Sequence, residues 1–134
     1  MDLYQFKRIL KKSRITKEIY KFLADHKQHD RIRFNLQKNG KKTIRSIQSS
    51  LEETDVKFFF SSGTLLGIIR EKKLIKHDLD LDIEIYITDN IELTKVRNAL
   101  KTIGAHKKYL YEVEGVGIVE ETYLLNGIRF DLFF

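Results

Sequence analysis

Cysteine is absent from the 134 residues, which excludes disulfides and thiolate metal sites and gives no sign of an oxidising compartment. A cytosolic address is the expectation that follows. Long apolar runs are missing as well. Nowhere do ~18 or more apolar residues follow one another, so no segment reads as a membrane span. Where a signal peptide would need an apolar stretch, the N-terminus has Asp2, Lys7, Arg8, Lys11 and Lys12, and no export signal is read. No internal repeat or low-complexity tract is visible either. A chain of this size can bury the core of one domain but has little room for a separate second one.

Charge is unevenly spread. The formal net charge is +6, yet residues 1–45 hold 14 Lys/Arg against 4 Asp/Glu, while residues 46–134 hold 11 against 15. The basic first part could attract an anionic membrane, phosphorylated substrates or nucleic acid, although a solvated helix face accounts for most such segments. Charge alone does not support nucleic-acid binding.

Leu3, Phe6, Ile9 and Leu10, then Ile15, Ile19, Phe22 and Leu23, recur at helical spacing over residues 2–27, which predicts one bent helix or two short ones. Residues 28–40, ending in Lys38-Asn39-Gly40, are polar and turn-rich and read as a linker. A helix is expected over 41–54 on the stripe Ile44, Ile47, Leu51. Val56 to Phe60 reads as a buried strand ending at Ser61-Ser62-Gly63, with a short helix carrying Leu65, Leu66, Ile68 and Ile69 behind the turn. Asp80 to Tyr86 alternates acidic and apolar residues, the period of a two-faced strand. Leu93, Val96, Leu100 and Ile103 mark a helix ending near Gly104. Asn126-Gly127 between two strand-like runs signals a hairpin, and a two-residue turn there sets Thr122 opposite Asp131. This order of elements is that of a mixed α/β domain.

The run His77-Asp78-Leu79-Asp80-Leu81-Asp82 carries the chemistry. In a strand, alternation sends its three carboxylates to one face at intervals of roughly 6–7 Å. Like charges so placed repel one another. A hard divalent cation such as Mg²⁺ would reverse that cost, taking carboxylate oxygens and completing its shell with waters and substrate phosphates. The alternative is a solvated acidic edge strand. Ser61-Ser62-Gly63-Thr64 stands between a strand and a helix, where small residues let backbone N–H groups and hydroxyls approach a phosphate. Asp131 lies in the otherwise core-like run Ile128 to Phe134, and an isolated carboxylate there is costly unless paired or bound.

Taken together, the stretch from Ser61 to Arg70 (Ser-Ser-Gly-Thr-Leu-Leu-Gly-Ile-Ile-Arg), the stretch from Leu74 to Ile83 with its Asp-x-Asp-x-Asp core, and the later Asp131 resemble the LicD/fukutin family of the nucleotidyltransferase superfamily. The resemblance covers roughly residues 41–134. It implies a nucleotidyltransferase-like mixed sheet flanked by helices, preceded by a basic helical extension over 1–40. It also implies that Asp80 and Asp82 bind the catalytic metal, Mg²⁺ or Mn²⁺, that Asp78 shares it, and that Asp131 is the third carboxylate, as ligand or general base. Ser62, Gly63 and Thr64 would cradle phosphate oxygens, and Arg70 would neutralise phosphate charge through its planar fork. A surface ion pair of Arg70 with Glu71 or Glu84 is the competing reading. Lys76-His77 stands where the family usually has Pro-Trp, and family members continue well beyond the position of Asp131.

The activity so implied is transfer of a phospho-alcohol, such as phosphocholine or an alditol phosphate, from a CDP-linked donor to a glycan hydroxyl. It would take place in the cytoplasm or peripherally at the inner membrane face. Two alternatives stand beside it. One is nucleotidyl transfer from a nucleoside triphosphate with release of pyrophosphate. The other is a non-catalytic domain that binds a partner or an anionic membrane through its basic N-terminus.

Overall fold

The computed structural model describes residues 14–134. Helix α1 runs Arg14–Glu52, strand β1 Lys57–Phe60, helix α2 Ser62–Glu71, strand β2 Asp80–Tyr86, helix α3 Asn90–Thr102, and strands β3, β4 and β5 His106–Val113, Gly117–Leu125 and Ile128–Phe133. Two compact units divide within α1, residues up to Arg31 and Ile32–Phe134. In the first unit Ile19, Phe22 and Leu23 are exposed, and the Phe22 ring stacks on His26 with centroids 5.8 Å apart. Residues 2–13 of the expected N-terminal helix lie outside the described residues.

The linker read at 28–40 is helix. No proline interrupts the segment, and its turn-like residues are held by partners in the second unit. Asn39 donates to Asn35 one turn back at 2.6 Å, and the Asn35 side chain donates to the carbonyl of Asn126. Gly40 is buried against Leu36 and Leu74, where a Cβ would come within 2.4 Å of Leu74 Cδ1. The glycine that reads as a stop in sequence therefore serves close packing, and packing outweighs its helix cost of about 1 kcal/mol. The helix stops where Thr54 turns its hydroxyl onto the Leu51 carbonyl at 2.6 Å and Asp55 takes a left-handed φ of 60°.

The sheet has five strands in the order β1-β2-β5-β4-β3. The β2–β5 pair is parallel and the other three are antiparallel. Strand alternation gives the sheet two unlike faces. Leu81, Ile83 and Ile85 of β2 with Phe130 and Leu132 of β5 join Leu36, Ile47 and Leu51 of α1 and Val96 and Leu100 of α3 in one core. The opposite face carries Asp80, Asp82 and Glu84, then Arg129 and Asp131. The Asn126-Gly127 hairpin forms as the sequence indicates, with φ of 54° and 74° at its two residues, and Thr122 pairs with Asp131. Strand β3 is an addition to the sequence reading: it is exposed along its whole length and its ladder with β4 is broken by register shifts, so no clean period-2 pattern marks it.

Candidate active site

Register brings the acidic residues together. In the parallel β2–β5 ladder Asp82 is paired with Asp131 and Asp80 with Arg129, so the four side chains share one face of the sheet. The row continues from Asp131 to Thr122 on β4 and Tyr109 on β3. Asp78 is not part of the strand, which begins at Asp80. It sits in the turn before it, its amide bonded to the Ile75 carbonyl. Its carboxylate lies against Gly63 at the start of α2, where a Cβ would fall 2.8 Å from Asp78 Oδ2.

Burial pushes the carboxyl of Asp82 up to about 6, and repulsion from Asp80, Asp131 and Asp78 adds to the shift, with Arg129 opposing it. Asp80 is raised for the same reasons, burial first and Asp131 next, again offset by Arg129. Asp78 is raised mainly by burial, against the pull of His77. A group of half-buried carboxylates that disfavour one another's charge is a place where an added cation is welcome.

Arg129 answers part of that charge. Its guanidinium donates to both oxygens of Asp131, Nε at 3.2 Å and Nη2 at 2.8 Å, and lies 3.9 Å from Asp80 Oδ2. Thr122 donates to Asp131 Oδ1 at 2.6 Å. Oδ1 of the buried Asp131 thus accepts two bonds and Oδ2 one, so one of the carboxylate's four lone-pair positions, on Oδ2, is left for another partner. Among the described residues no group of three or more His, Cys, Asp or Glu side chains is arranged to hold a metal ion. The donor set nonetheless suits a Mg²⁺-like ion, which keeps several waters and takes only one or two carboxylates together with substrate phosphates. Asp80 and Asp82 supply those two hard oxygen donors.

The segment after β1 packs against β2 through paired bonds. The Ser61 amide donates to the Asp82 carbonyl at 3.0 Å, and the Asp82 amide donates to Thr64 Oγ1 at 3.0 Å. Thr64 is fully buried, so its hydroxyl is committed to positioning Asp82 rather than facing solvent. Ser62 and Gly63 form the first turn of α2, with Ser61 as N-cap and Ser62 at a left-handed φ of 48°. Ser61 is itself buried, and its Oγ has no hydrogen-bond partner. Arg70, about three-fifths exposed, pairs with Glu71 at 3.0 Å on the surface.

Arg129 is the residue beside these carboxylates that the sequence pattern did not single out. Its signal was present, because it lies two residues before Asp131 in the same strand and hence on the same face. Lys76-His77, which depart from the family pattern, lie in the turn before Asp78.

Comparison with known proteins places these residues in a family. Over 66 residues the chain is 36% identical to an uncharacterized protein of Rickettsia typhi (strain ATCC VR-144 / Wilmington), covering 49% of this chain and 21% of that protein. Over 77 residues it is 32% identical to an uncharacterized protein of Rickettsia prowazekii (strain Madrid E), covering 53% of this chain and 29% of the relative. The chain thus spans less than a third of the length of these curated relatives. Residues 55–123 match the family model described as LicD/FKTN/FKRP, nucleotidyltransferase domain. That segment, just over half of the chain, runs from the start of β1 through the acidic strand into β4, and the chain belongs to the LicD/FKTN/FKRP family.

Proposed function

We propose that the chain forms the catalytic core of a metal-dependent phosphotransferase that moves a phospho-alcohol, of the phosphocholine or alditol phosphate type, from a CDP-linked donor to a glycan hydroxyl. One observation carries this reading: Asp80, Asp82 and Asp131 meet on one face of two parallel strands, with the N-terminus of α2 bonded to the middle of that group. A family of transferases supplies the reaction class; the donor and acceptor are the proposal.

Asp80 and Asp82 are the residues to hold the divalent cation, Mg²⁺ or Mn²⁺. When bound, such an ion would neutralise donor phosphate charge and the charge that develops on the leaving phosphate. The N-terminal turn of α2 offers free backbone N–H groups to a phosphate oxygen. Arg129, about half exposed beside Asp80, can offer the guanidinium N–H groups that Asp131 does not use to the diphosphate, while Asp131, itself held by Thr122, keeps it aimed. Asp131 then acts as a positioning residue and as the third charge that draws the cation. The basic N-terminal segment would favour work beside an anionic membrane surface. Among the described residues no helix is long and apolar enough to cross a membrane.

A thermal-shift screen of cytidine, uridine, adenosine and guanosine diphosphates and triphosphates, each with and without Mg²⁺, tests the site on the native chain and on Asp80→Ala. Stabilisation of the native chain by a cytidine nucleotide only with Mg²⁺, and none of the variant, is the expected result. A flat response across all nucleotides would overturn the reading. Product analysis then identifies the reaction, since cytidine monophosphate marks phospho-alcohol transfer and pyrophosphate marks attack on a triphosphate.

A further inference from the structure

On the face of the sheet away from the carboxylates, the last turn of α3 and the start of β3 enclose a cavity of about 320 Å³, lined by Arg97, Asn98, Lys101, His106, Lys107 and Tyr123 among others. Cationic groups crowd it. Arg97 and Lys101 stand one turn apart on α3, and Lys107 comes from β3, where it is paired with Tyr123. Like charges at i and i+4 of a helix repel one another, so helix formation does not reward the arrangement. A helix C-terminus does favour cations, but here three of the last carbonyls are already taken. Gly104 N–H donates to the Lys101 carbonyl and Ala105 N–H to that of Leu100, both at 3.0 Å, and the Thr102 hydroxyl donates to that of Asn98 at 3.0 Å.

One carboxylate answers part of this charge. Glu121, fully buried behind the cavity wall, accepts on one oxygen from Arg97 Nε at 2.9 Å, from Arg97 Nη2, and from Lys107 Nζ at 3.0 Å. Its other oxygen takes the Tyr123 hydroxyl at 2.6 Å. Glu121 therefore fixes where the two cations stand without exhausting them. Of the five N–H donors of Arg97 two are used, and of the three on Lys107 one. Lys101 takes part in no ion pair among the described residues. Three cations against one carboxylate leave two positive charges at the cavity.

We propose that this cavity binds a phosphate group, free or carried on a soluble compound or a lipid headgroup, at a site separate from the carboxylate face. A phosphate brings roughly the charge that the cavity lacks, about −1.5 to −2 near pH 7, and acceptor oxygens pointing in several directions. The donors converge from two elements to meet them, Arg97, Asn98 and Lys101 from α3 and Lys107 from β3. Because Glu121 already holds Arg97 and Lys107, little side-chain freedom is lost on binding. The sheet separates this place from Asp80, Asp82 and Asp131, whose negative charge repels a free phosphate when no cation is present.

Titration of the ¹⁵N-labelled full chain with inorganic phosphate tests this, without divalent cations and with chloride adjusted to hold the ionic strength. Saturable amide shifts centred on residues 97–107 and Tyr123 are expected, with a Kd on the order of 1 mM. Lys101→Ala is expected to weaken binding about fivefold. Lys95→Ala, which removes an exposed charge of the same helix outside the cavity, and Asp80→Ala are expected to leave it unchanged. The dispersion of each spectrum shows whether the variant is folded. Vesicles bearing phosphatidic acid then separate the sources of the phosphate. Retention of the native chain that Lys101→Ala reduces assigns a lipid headgroup, and retention equal for both assigns a soluble phosphate. Shifts that grow without saturating overturn the proposal. Equal weakening by Lys95→Ala also overturns it, because net charge then accounts for the effect, and so does loss of binding in Asp80→Ala, which would put the ion on the other face.

Discussion

At the level of single side chains, Asp82 and Asp131 show two ways of keeping a carboxylate in a sheet. Asp131 is buried and satisfied, with Thr122 and Arg129 covering both oxygens. Replacing Thr122 by Val keeps the shape but removes the donor at 2.6 Å. A loss of about 1–3 kcal/mol in urea unfolding is expected. Asp82 is instead left partly uncompensated, with its carboxyl raised to about 6 by burial and by its acidic neighbours. A raised carboxyl pKa means that the folded state binds the proton more tightly than the unfolded chain, whose value is about 3.9. The resulting stability is fully present below about pH 4 and is lost as pH rises through 6. Asp82→Asn is therefore expected to melt a few degrees higher than the native chain at pH 7 without divalent cations, and to show no such advantage at pH 4. Added Mg²⁺ should narrow the gap at pH 7 by stabilising the native chain alone. A variant that melts lower at pH 7 would show that Asp82 is structurally satisfied in some other way.

Among elements, the sequence was most legible where one face of a strand or helix differs from the other. The β2 alternation, the α3 stripe and the Asn126-Gly127 hairpin all appear where their patterns indicate, because each pattern reports burial directly. Strand β3 was not legible, since exposure on both faces leaves no pattern to read. Asn39-Gly40 misled for a different reason: tertiary contacts with Asn35, Leu36 and Leu74 decide the backbone there. Gly67 is a second glycine whose role is packing. A Cβ at this position would meet the Lys73 carbonyl oxygen at 2.6 Å and the Ile75 nitrogen at 3.0 Å, and backbone cannot step aside as a side chain can. Gly67→Ala gains helix propensity worth about 1 kcal/mol but forces the loop leading to Asp78 outward at a cost of about 1–3 kcal/mol. A net loss of stability, together with weaker Mg²⁺-dependent nucleotide stabilisation, is expected by thermal shift.

On the core side of the sheet, Glu121 joins three elements. It accepts from Arg97 of α3, whose Nε lies at 2.9 Å, from Lys107 of β3 at 3.0 Å and from the Tyr123 hydroxyl at 2.6 Å. Burial alone would raise its pKa, but the bonds from Arg97, Tyr123 and Lys107 together bring it below the ordinary value. Its pH dependence is opposite to that of Asp82: the stability it supplies is present above the unfolded pKa and fades as pH falls through the lower folded one. Arg97→Met leaves this buried carboxylate with Lys107 and Tyr123 only. A loss of about 3 kcal/mol at pH 7 is expected, shrinking in acid, as measured by urea unfolding at pH 7 and pH 4.

For the molecule as a whole, the question is where the independently folding unit begins. The polar, turn-rich composition of 28–40 puts the boundary at residue 41, whereas the contacts put it at Ile32. The difference lies in residues 32–40, which carry the fully buried Leu36, the buried Gly40, and the side-chain bonds of Asn35 to Asn126 and of Gln37 to Ile75. The last bond holds the loop that leads into Asp78 and β2. Removing residues 1–31 leaves all of these in place, and the shortened chain is expected to unfold cooperatively with a midpoint close to that of the native one. Removing residues 1–40 exposes the core around Leu36, and loss of a buried leucine alone costs about 2–5 kcal/mol. That chain is expected to be marginal or unfolded, because the remaining unit has few kilocalories to spare. Far-UV circular dichroism and urea melts of the two truncations decide between the boundaries. Equal stability of both would show that the residues from Ile32 to Gly40 are an appendage after all.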